Sequence, residues 1–255
     1  AYPGTPSSEI LPAVARYADA QNAGIAVEWG ANEKVAYEMA VSATFAGARA
    51  CCVMKHVGLN VAADPFMTTA LYELKGGMLL VSADDPGPHS SQNEQDSRFF
   101  AMFAKAPCLD PSDAAEAAAM VADGYALSER YGIVTVLRPT TRIAHSRQAV
   151  AMPETRAEGL PVQFDRNPVR WCPLPAIVRT SHPKHNARLE RIREEFEKDW
   201  GRYNYELPAK SGAKLGVIAS GIAFASLCDV LKEWGREDVD ILKIGTPFPL
   251  PRAMA

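Results

Sequence analysis

No two cysteines in this sequence are spaced as Cys-x-x-Cys. The five present, Cys51, Cys52, Cys108, Cys172 and Cys228, are odd in number and scattered. This argues against a zinc or iron–sulfur site built from this chain alone and fits a reducing, cytoplasmic setting. No apolar run is long enough to cross a membrane, and no signal peptide is visible. No basic cluster stands out, and the net charge of −3 gives no electrostatic ground for nucleic acid or an anionic lipid surface as partner. Gly-x-Gly-x-x-Gly and Gly-x-x-x-x-Gly-Lys-Ser/Thr are both absent, so the chain does not read as a phosphate cradle. Gly-x-Ser-x-Gly, the nucleophile elbow of many hydrolases, is absent too.

What is present is ordinary globular material. Its 255 residues, 47% of them hydrophobic, suffice for one large domain or one and a fraction. The chain opens without Met and stops at Pro-Leu-Pro-Arg-Ala-Met-Ala, which reads as part of a longer polypeptide. Apolar runs at 49–54, 78–83, 133–137, 214–220 and 239–244 suit buried strands, and helical patterns alternate with them. This alternation predicts an α/β fold, a mainly parallel sheet with helices on both faces. Residues 1–148 form the first unit and 149–213 a proline-rich connection. In that connection Trp171 and Trp200 act as anchors, prolines break any long element, and only 184–200 sustains a helix, charged and on the surface. A second α/β unit starts over 214–255.

The pattern that organises the rest is Glu28-Trp-Gly-Ala-Asn-Glu-Lys-Val-Ala36. It joins the short apolar run 24–27 to a helix predicted over 31–48, whose buried face is set by Val35, Met39, Ala43 and Ala46. Asn32 is a good N-cap and Glu33 falls in the first turn. A carboxylate at a strand-to-helix junction stands where open α/β sheets bind ligands; it also complements a helix dipole, and spacing alone does not choose. Thr5 lies between two prolines, either to fix the direction of its hydroxyl or simply in a tight turn. Ser7 or Ser8 caps the helix that follows. Lys55 and His56 follow the second apolar run, and a further helix is predicted from Asn60 to Leu74. His56 is either a proton donor or a structural histidine. The polar loop Asp84–Asp96, too varied in its side chains for a linker, again follows a strand and reads as an active-site loop. Ser112 caps the Ala-rich helix beyond it. Three such strand ends are expected to converge on one edge of the sheet.

Four segments in this order, Tyr-Pro-Gly-Thr-Pro-Ser-Ser-Glu (2–9), Glu-Trp-Gly-Ala-Asn-Glu-Lys (28–34), Met-Lys-His-Val-Gly-Leu-Asn (54–60) and Asp-Asp-Pro-Gly-Pro-His-Ser-Ser-Gln-Asn-Glu-Gln-Asp (84–96), carry a resemblance. They resemble the large subunits of indolepyruvate ferredoxin oxidoreductases, within the thiamine-diphosphate-dependent 2-oxoacid:ferredoxin oxidoreductases. The likeness covers residues 1–147 closely, and 214–251 resemble the family's transketolase-C-terminal-like domain.

The resemblance implies that residues 1–148 bind the pyrimidine end of thiamine diphosphate, with Pro3, Thr5 and Glu33 as cofactor contacts. Glu33, not Glu28, aligns with the family's glutamate, a desolvated carboxyl that exchanges a proton with the aminopyrimidine. Glu33 and His56 are the implied catalytic residues. Thr5, Lys55, His56, His89 and Asn93 are the implied substrate contacts. Pyruvate-specific members hold the substrate carboxylate with an arginine where this chain has Asp84–Asp85. That departure points to an aryl pyruvate, its carboxylate held by Lys55, His56 or His89. Mg²⁺ and [4Fe–4S] clusters are expected outside these residues. A smaller beta subunit, ferredoxin, the 2-oxoacid and coenzyme A are the implied partners in a hetero-oligomer, and these residues alone are expected to be inactive. A non-oxidative thiamine-dependent decarboxylase and a non-catalytic scaffold are the alternatives.

Overall fold

A computed structural model describes residues 1–150 and 162–255; Pro153 and Pro161 of the connection lie outside the described residues. In chain order the elements are α1 (Ile10–Gln21), α2 (Glu33–Phe45), β1 (Ala50–Lys55), α3 (His56–Val61), α4 (Ala63–Thr69), β2 (Met78–Ala83) and α5 (Ser97–Ala104). Then follow β3 (Cys108–Leu109), α6 (Ala114–Tyr131), β4 (Thr135–Leu137), α7 (Thr141–Ala144), α8 (Pro168–Trp171) and α9 (Pro175–Lys198). The last are β5 (Asn204–Leu207), β6 (Leu215–Ala219), α10 (Gly221–Glu233) and β7 (Val239–Ile244).

Strands β1, β2, β4 and β3, in that order, form a wholly parallel sheet. Alternate side chains serve opposite faces, as strand geometry requires. Cys52, Met54, Met78, Leu80, Cys108 and Val136 pack with helices α2 to α5. Val53, Leu79, Val81, Leu109 and Leu137 pack on the other face with α6 and α9. Both faces are therefore dry, which is why these strands read as continuous apolar runs. A smaller sheet, β5-β7-β6, carries α10 on one face. Its β6-α10-β7 unit is parallel, whereas β5 runs antiparallel to β7. The two sheets meet where Phe248 bonds to Cys108 and Gly245 to Asp110.

Several expectations need correction. The run 24–27 forms no strand of the sheet; Ala1 and Tyr2 lie between Glu28–Gly30 and Val53 instead. Helix α2 buries Ala36, Tyr37, Val41 and Thr44, while Val35 and Met39 are exposed. The apolar count chose the wrong face because a tyrosine and a threonine carry the true one. The helix expected from Asn60 starts at His56 and is broken at Ala62 into α3 and α4. Neither Ser7 nor Ser8 caps α1, since the Ser7 hydroxyl donates to the Gly4 carbonyl. Asp113, not Ser112, caps α6. Cys51 is exposed, although its neighbour Cys52 is buried.

The charged helix is longer than its sequence suggests and, though it lies on the surface, buries one face. It begins with Pro175 at its first position, runs through Pro183 and buries five side chains. Among them Arg188 is clamped without a carboxylate partner among the described residues. Its guanidinium donates to the carbonyls of Ala70, Tyr72, Tyr131 and Gly132, where α4 and α6 end. Free carbonyls at helix ends need donors, and one arginine supplies both ends. Arg188 also donates to His185 Nδ1 at 2.8 Å. Trp171 packs on Phe45, Tyr72 and Phe164, and Trp200 on Phe196 and Tyr203.

Burial, together with the charges of Arg188, Lys105 and His182, pushes the His185 imidazole from its ordinary 6.5 down to about 4. The unfolded chain therefore binds the proton first, so His185 costs stability progressively as pH falls from 6.5 towards 4. In His185→Gln that part of the slope is expected to vanish. Urea titrations at pH values on either side of this window check it. An unchanged difference between wild type and variant across the window would show that His185 does not titrate this way.

Candidate active site at the carboxyl ends of the strands

The carboxyl ends of β1, β2, β3 and β4 bring together residues far apart in sequence. Asn32 caps α2, its side chain accepting from Val35 N–H at 2.9 Å. Glu33 therefore stands in the first turn with no capping duty. Its neighbour Lys34 turns away to Asp64 at 3.0 Å. Among the described residues the Glu33 carboxyl has no hydrogen-bond or ion-pair partner, and it is half-buried. It lies against the bare α-carbon of Gly58, where a Cβ would stand 2.6 Å from its Cγ and Oε1. Glu28, the other carboxylate of the motif, is exposed.

His56, the first residue of α3, is 1% exposed. Its Nε2 lies 3.2 Å from the Asn93 carbonyl, an acceptor, so the ring proton belongs on Nε2. Nδ1 is buried with no partner. Lys55 donates to the Ser90 carbonyl at 3.3 Å, and its stem lies across Gly4. The Ser90 hydroxyl donates to the Thr5 carbonyl at 3.3 Å. The structure thus joins Thr5, Lys55, His56 and Asn93 through the loop, with Glu33 of α2 against Gly58, two residues beyond His56 in α3. Pro3 is exposed beside Gly4. His89 is exposed, and only its backbone takes part in this cluster.

Sequence reasoning missed what holds the loop. Asp85 is buried and accepts from the N–H groups of His89 and Ser90 and the hydroxyls of Ser91 and Thr141. Burial pushes its pKa up, but those bonds from Ser90, Thr141, Ser91 and His89 outweigh it and hold the carboxyl well below the usual range. Asp84, also buried, takes Arg138 Nε at 2.6 Å and both the N–H and the hydroxyl of Ser97. Arg138 reaches Asp110 as well, at 3.3 Å. Burial opposes the Arg138 charge, yet Asp110 and Asp84 more than offset it and raise its pKa. Arg98 joins Asp96 and Asp110, and Ser220 donates to Asp110 at 2.6 Å. The signal available in sequence was the acidic pair opening the loop; its partners lie in other elements.

The chain matches, over residues 1–190, a family described as "pyruvate flavodoxin/ferredoxin oxidoreductase, thiamine diP-bdg". It belongs to that thiamine-diphosphate-binding family. The chain is 45% identical over 256 residues to the indolepyruvate oxidoreductase subunit IorA of Pyrococcus horikoshii, covering 98% of this chain and 39% of that protein. It is 42% identical over 253 residues to the subunit of the same name from Methanothermobacter marburgensis, covering 99% and 40%. It therefore spans about two fifths of the length of these curated relatives.

Among solved structures, 2-oxoglutarate:ferredoxin oxidoreductase from Magnetococcus marinus superposes with a TM-score of 0.75 at 16% identity, over 99% of this chain and 51% of that one. A split-gene transketolase superposes at 0.53 and 15% identity, over 89% and 59%. These two likenesses bear on the fold, the parallel α/β arrangement expected from the sequence.

Gly58→Ala is expected to drive the Glu33 carboxyl out of its place, because real Cβ atoms do not approach so closely. Activity of the full-length family enzyme should fall about a hundredfold, with circular dichroism and melting temperature little changed; full activity would show that the contact is incidental. Arg138→Met leaves buried Asp84 without its cation and Asp110 with Arg98 alone, and should cost about 3–5 kcal/mol. Denaturant unfolding measures it, and a cost within 1 kcal/mol would mean that water replaces the arginine.

Proposed function

We propose that this chain supplies the pyrimidine end of the thiamine diphosphate site in an enzyme that oxidatively decarboxylates aryl pyruvates. Indolepyruvate or phenylpyruvate would yield the aryl-acetyl-CoA, with the electron pair passed to ferredoxin. The observation that carries the reading is Glu33, an unengaged, half-buried carboxyl at a helix start, against a bare glycine and beside the strand-end cluster.

The residues present fit the pyrimidine end of the cofactor. Glu33 offers a carboxyl free to exchange a proton at N1′ of the aminopyrimidine, and Pro3 and Thr5 flank Gly4, on which the Lys55 stem lies. The orphaned Nδ1 of buried His56 is an acceptor awaiting a donor from cofactor or substrate. When bound, thiamine diphosphate supplies the electron sink for loss of CO₂ from a 2-oxo acid. Glu33 and His56 are the proposed catalytic residues, and Thr5, Lys55, His56, His89 and Asn93 the substrate-facing set. No group of three or more His, Cys, Asp or Glu able to hold a metal occurs among the described residues. We assign Mg²⁺ and the [4Fe–4S] clusters to other parts of the enzyme.

We read residues 1–148 as the pyrimidine-binding unit, 149–213 as a connection and 214–255 as the start of a transketolase-C-terminal-like unit. A smaller beta subunit and ferredoxin are the proposed partners, with CoA as acyl acceptor, in the cytoplasm. The name shared by the relatives at 42–45% identity supports an aryl pyruvate. No helix among the described residues is long and apolar enough to cross a membrane.

The test uses the full-length complex with its partner subunit. Viologen reduction is followed with indolepyruvate, phenylpyruvate and pyruvate, with and without CoA. The aryl acids should be oxidised, and Glu33→Gln, which keeps the shape but cannot exchange the proton, should lose about a thousandfold in rate while still binding thiamine diphosphate. A fully active Glu33→Gln would reduce Glu33 to a partner of the helix dipole.

A further inference from the structure

The proposed substrates share a carboxylate next to a ketone, whatever their side chain. A carboxylate entering a half-buried cleft needs a cation that nothing else already neutralises. Two arginines at the strand ends, Arg138 and Arg98, do not qualify. Arg138 is buried between Asp84 and Asp110, and Arg98 is paired with Asp96 and Asp110. The His89 side chain is exposed, and His56 holds the Asn93 carbonyl.

Lys55 differs from all of these. Among the described residues its ammonium has no carboxylate partner and bonds only a neutral carbonyl, Ser90 O, at the long distance of 3.3 Å. Its stem is guided rather than free. It crosses the α-carbon of Gly4, where a Cβ would lie 3.0 Å from Lys55 Cδ. The same Ser90 bonds the Thr5 carbonyl, so the ammonium is held at the mouth formed by Thr5 and the loop. Asp85 fixes that loop by accepting from the Ser90 N–H at 2.9 Å.

We propose that Lys55 anchors the carboxylate of the 2-oxo acid, and that the Ser90 carbonyl keeps the ammonium in position until the substrate replaces it. The exchange trades a neutral acceptor for a charged one, adding ion-pair attraction to the hydrogen bond. Lysine suits the task because a compact point charge fixes one end of the acid without dictating the rest. Lys55 therefore recognises the acid group and leaves the choice of side chain to other residues.

This rests on the oxidoreductase reading, and the experiment separates the two. Steady-state viologen assays on the full-length complex compare wild type, Lys55→Met and Lys55→Arg with phenylpyruvate and indolepyruvate as substrates and the uncharged methyl ester of phenylpyruvate, which cannot lose CO₂, as a competitive inhibitor. Thiamine diphosphate binding is measured by calorimetry on each. Removing Lys55 should raise KM for both acids by about 10- to 100-fold with kcat within about threefold. The inhibition constant of the ester and the cofactor affinity should not move, and Lys55→Arg should recover part of the loss. If wild type oxidises the acids but Lys55→Met keeps their KM, the anchor is wrong and the reading of the enzyme survives. An equal weakening of the ester's inhibition and of the acids' KM makes Lys55 a structural residue and also overturns the proposal. If wild type oxidises neither acid, both readings fall.

Discussion

Arg138 is the residue on which this edge of the molecule depends. Its buried guanidinium spans two buried carboxylates, Asp84 at the end of β2 and Asp110 just beyond β3. Each of these ions would be costly alone in a dry interior; together, with their hydrogen bonds completed, they are tolerable. The arrangement does more than neutralise charge. Asp84 also takes the N–H and hydroxyl of Ser97, so the loop between them is pinned at its first and last residues. Asp110 takes the Ser220 hydroxyl from the start of α10, so the smaller sheet is fastened to the same point. A second buried ion pair, Lys243 with Glu116, reinforces that junction.

The acidic pair that opens the loop has divided duties. Asp84 faces inward and holds the scaffold, while Asp85 gathers two backbone N–H groups and two hydroxyls and gives the loop its shape. A polar loop without a core of its own needs such an internal acceptor to hold one conformation. The consequence is local precision where it matters. Ser90 and Asn93, both exposed, still place their carbonyls on Lys55 and His56.

Legibility in the sequence followed the range of the forces. Strands β2 and β7 were read with their observed ends, and β1 within a residue, because a buried parallel strand is a continuous apolar run. Asn32 was read as a cap because capping is local. Strand β5 was missed: Asn-Tyr-Glu-Leu has no apolar pattern, and pairing with β7, over thirty residues later, makes it a strand. The first half of α9 was hidden by Pro175 and Pro183, yet one proline opens the helix and the other is carried within it, ahead of the buried residues His185, Arg188, Leu189, Ile192 and Phe196. Arg138, Asp110 and Thr141 were invisible as site residues because their role exists only once distant strand ends meet. Gly58 lay inside a quoted motif, but only the fold shows that its missing Cβ makes room for Glu33.

That vacancy bears on how Glu33 is to be understood. A helix dipole rewards an acidic residue in the first turn by about 0.3–1 kcal/mol, and this alone explains a carboxylate at position 33. It does not explain the surroundings. Asn32 already satisfies the helix start, Lys34 gives its charge to Asp64, and the Glu33 carboxyl is left with no partner among the described residues. A residue kept only for its charge would do as well extended into solvent, with any small residue at 58. Here it is drawn down onto an α-carbon where a Cβ would stand 2.6 Å from it. Partial burial of an unpaired carboxyl lowers stability, and a dipole gain of that size does not call for it. A requirement for that carboxyl at that place, such as proton exchange with a ligand's ring nitrogen, does.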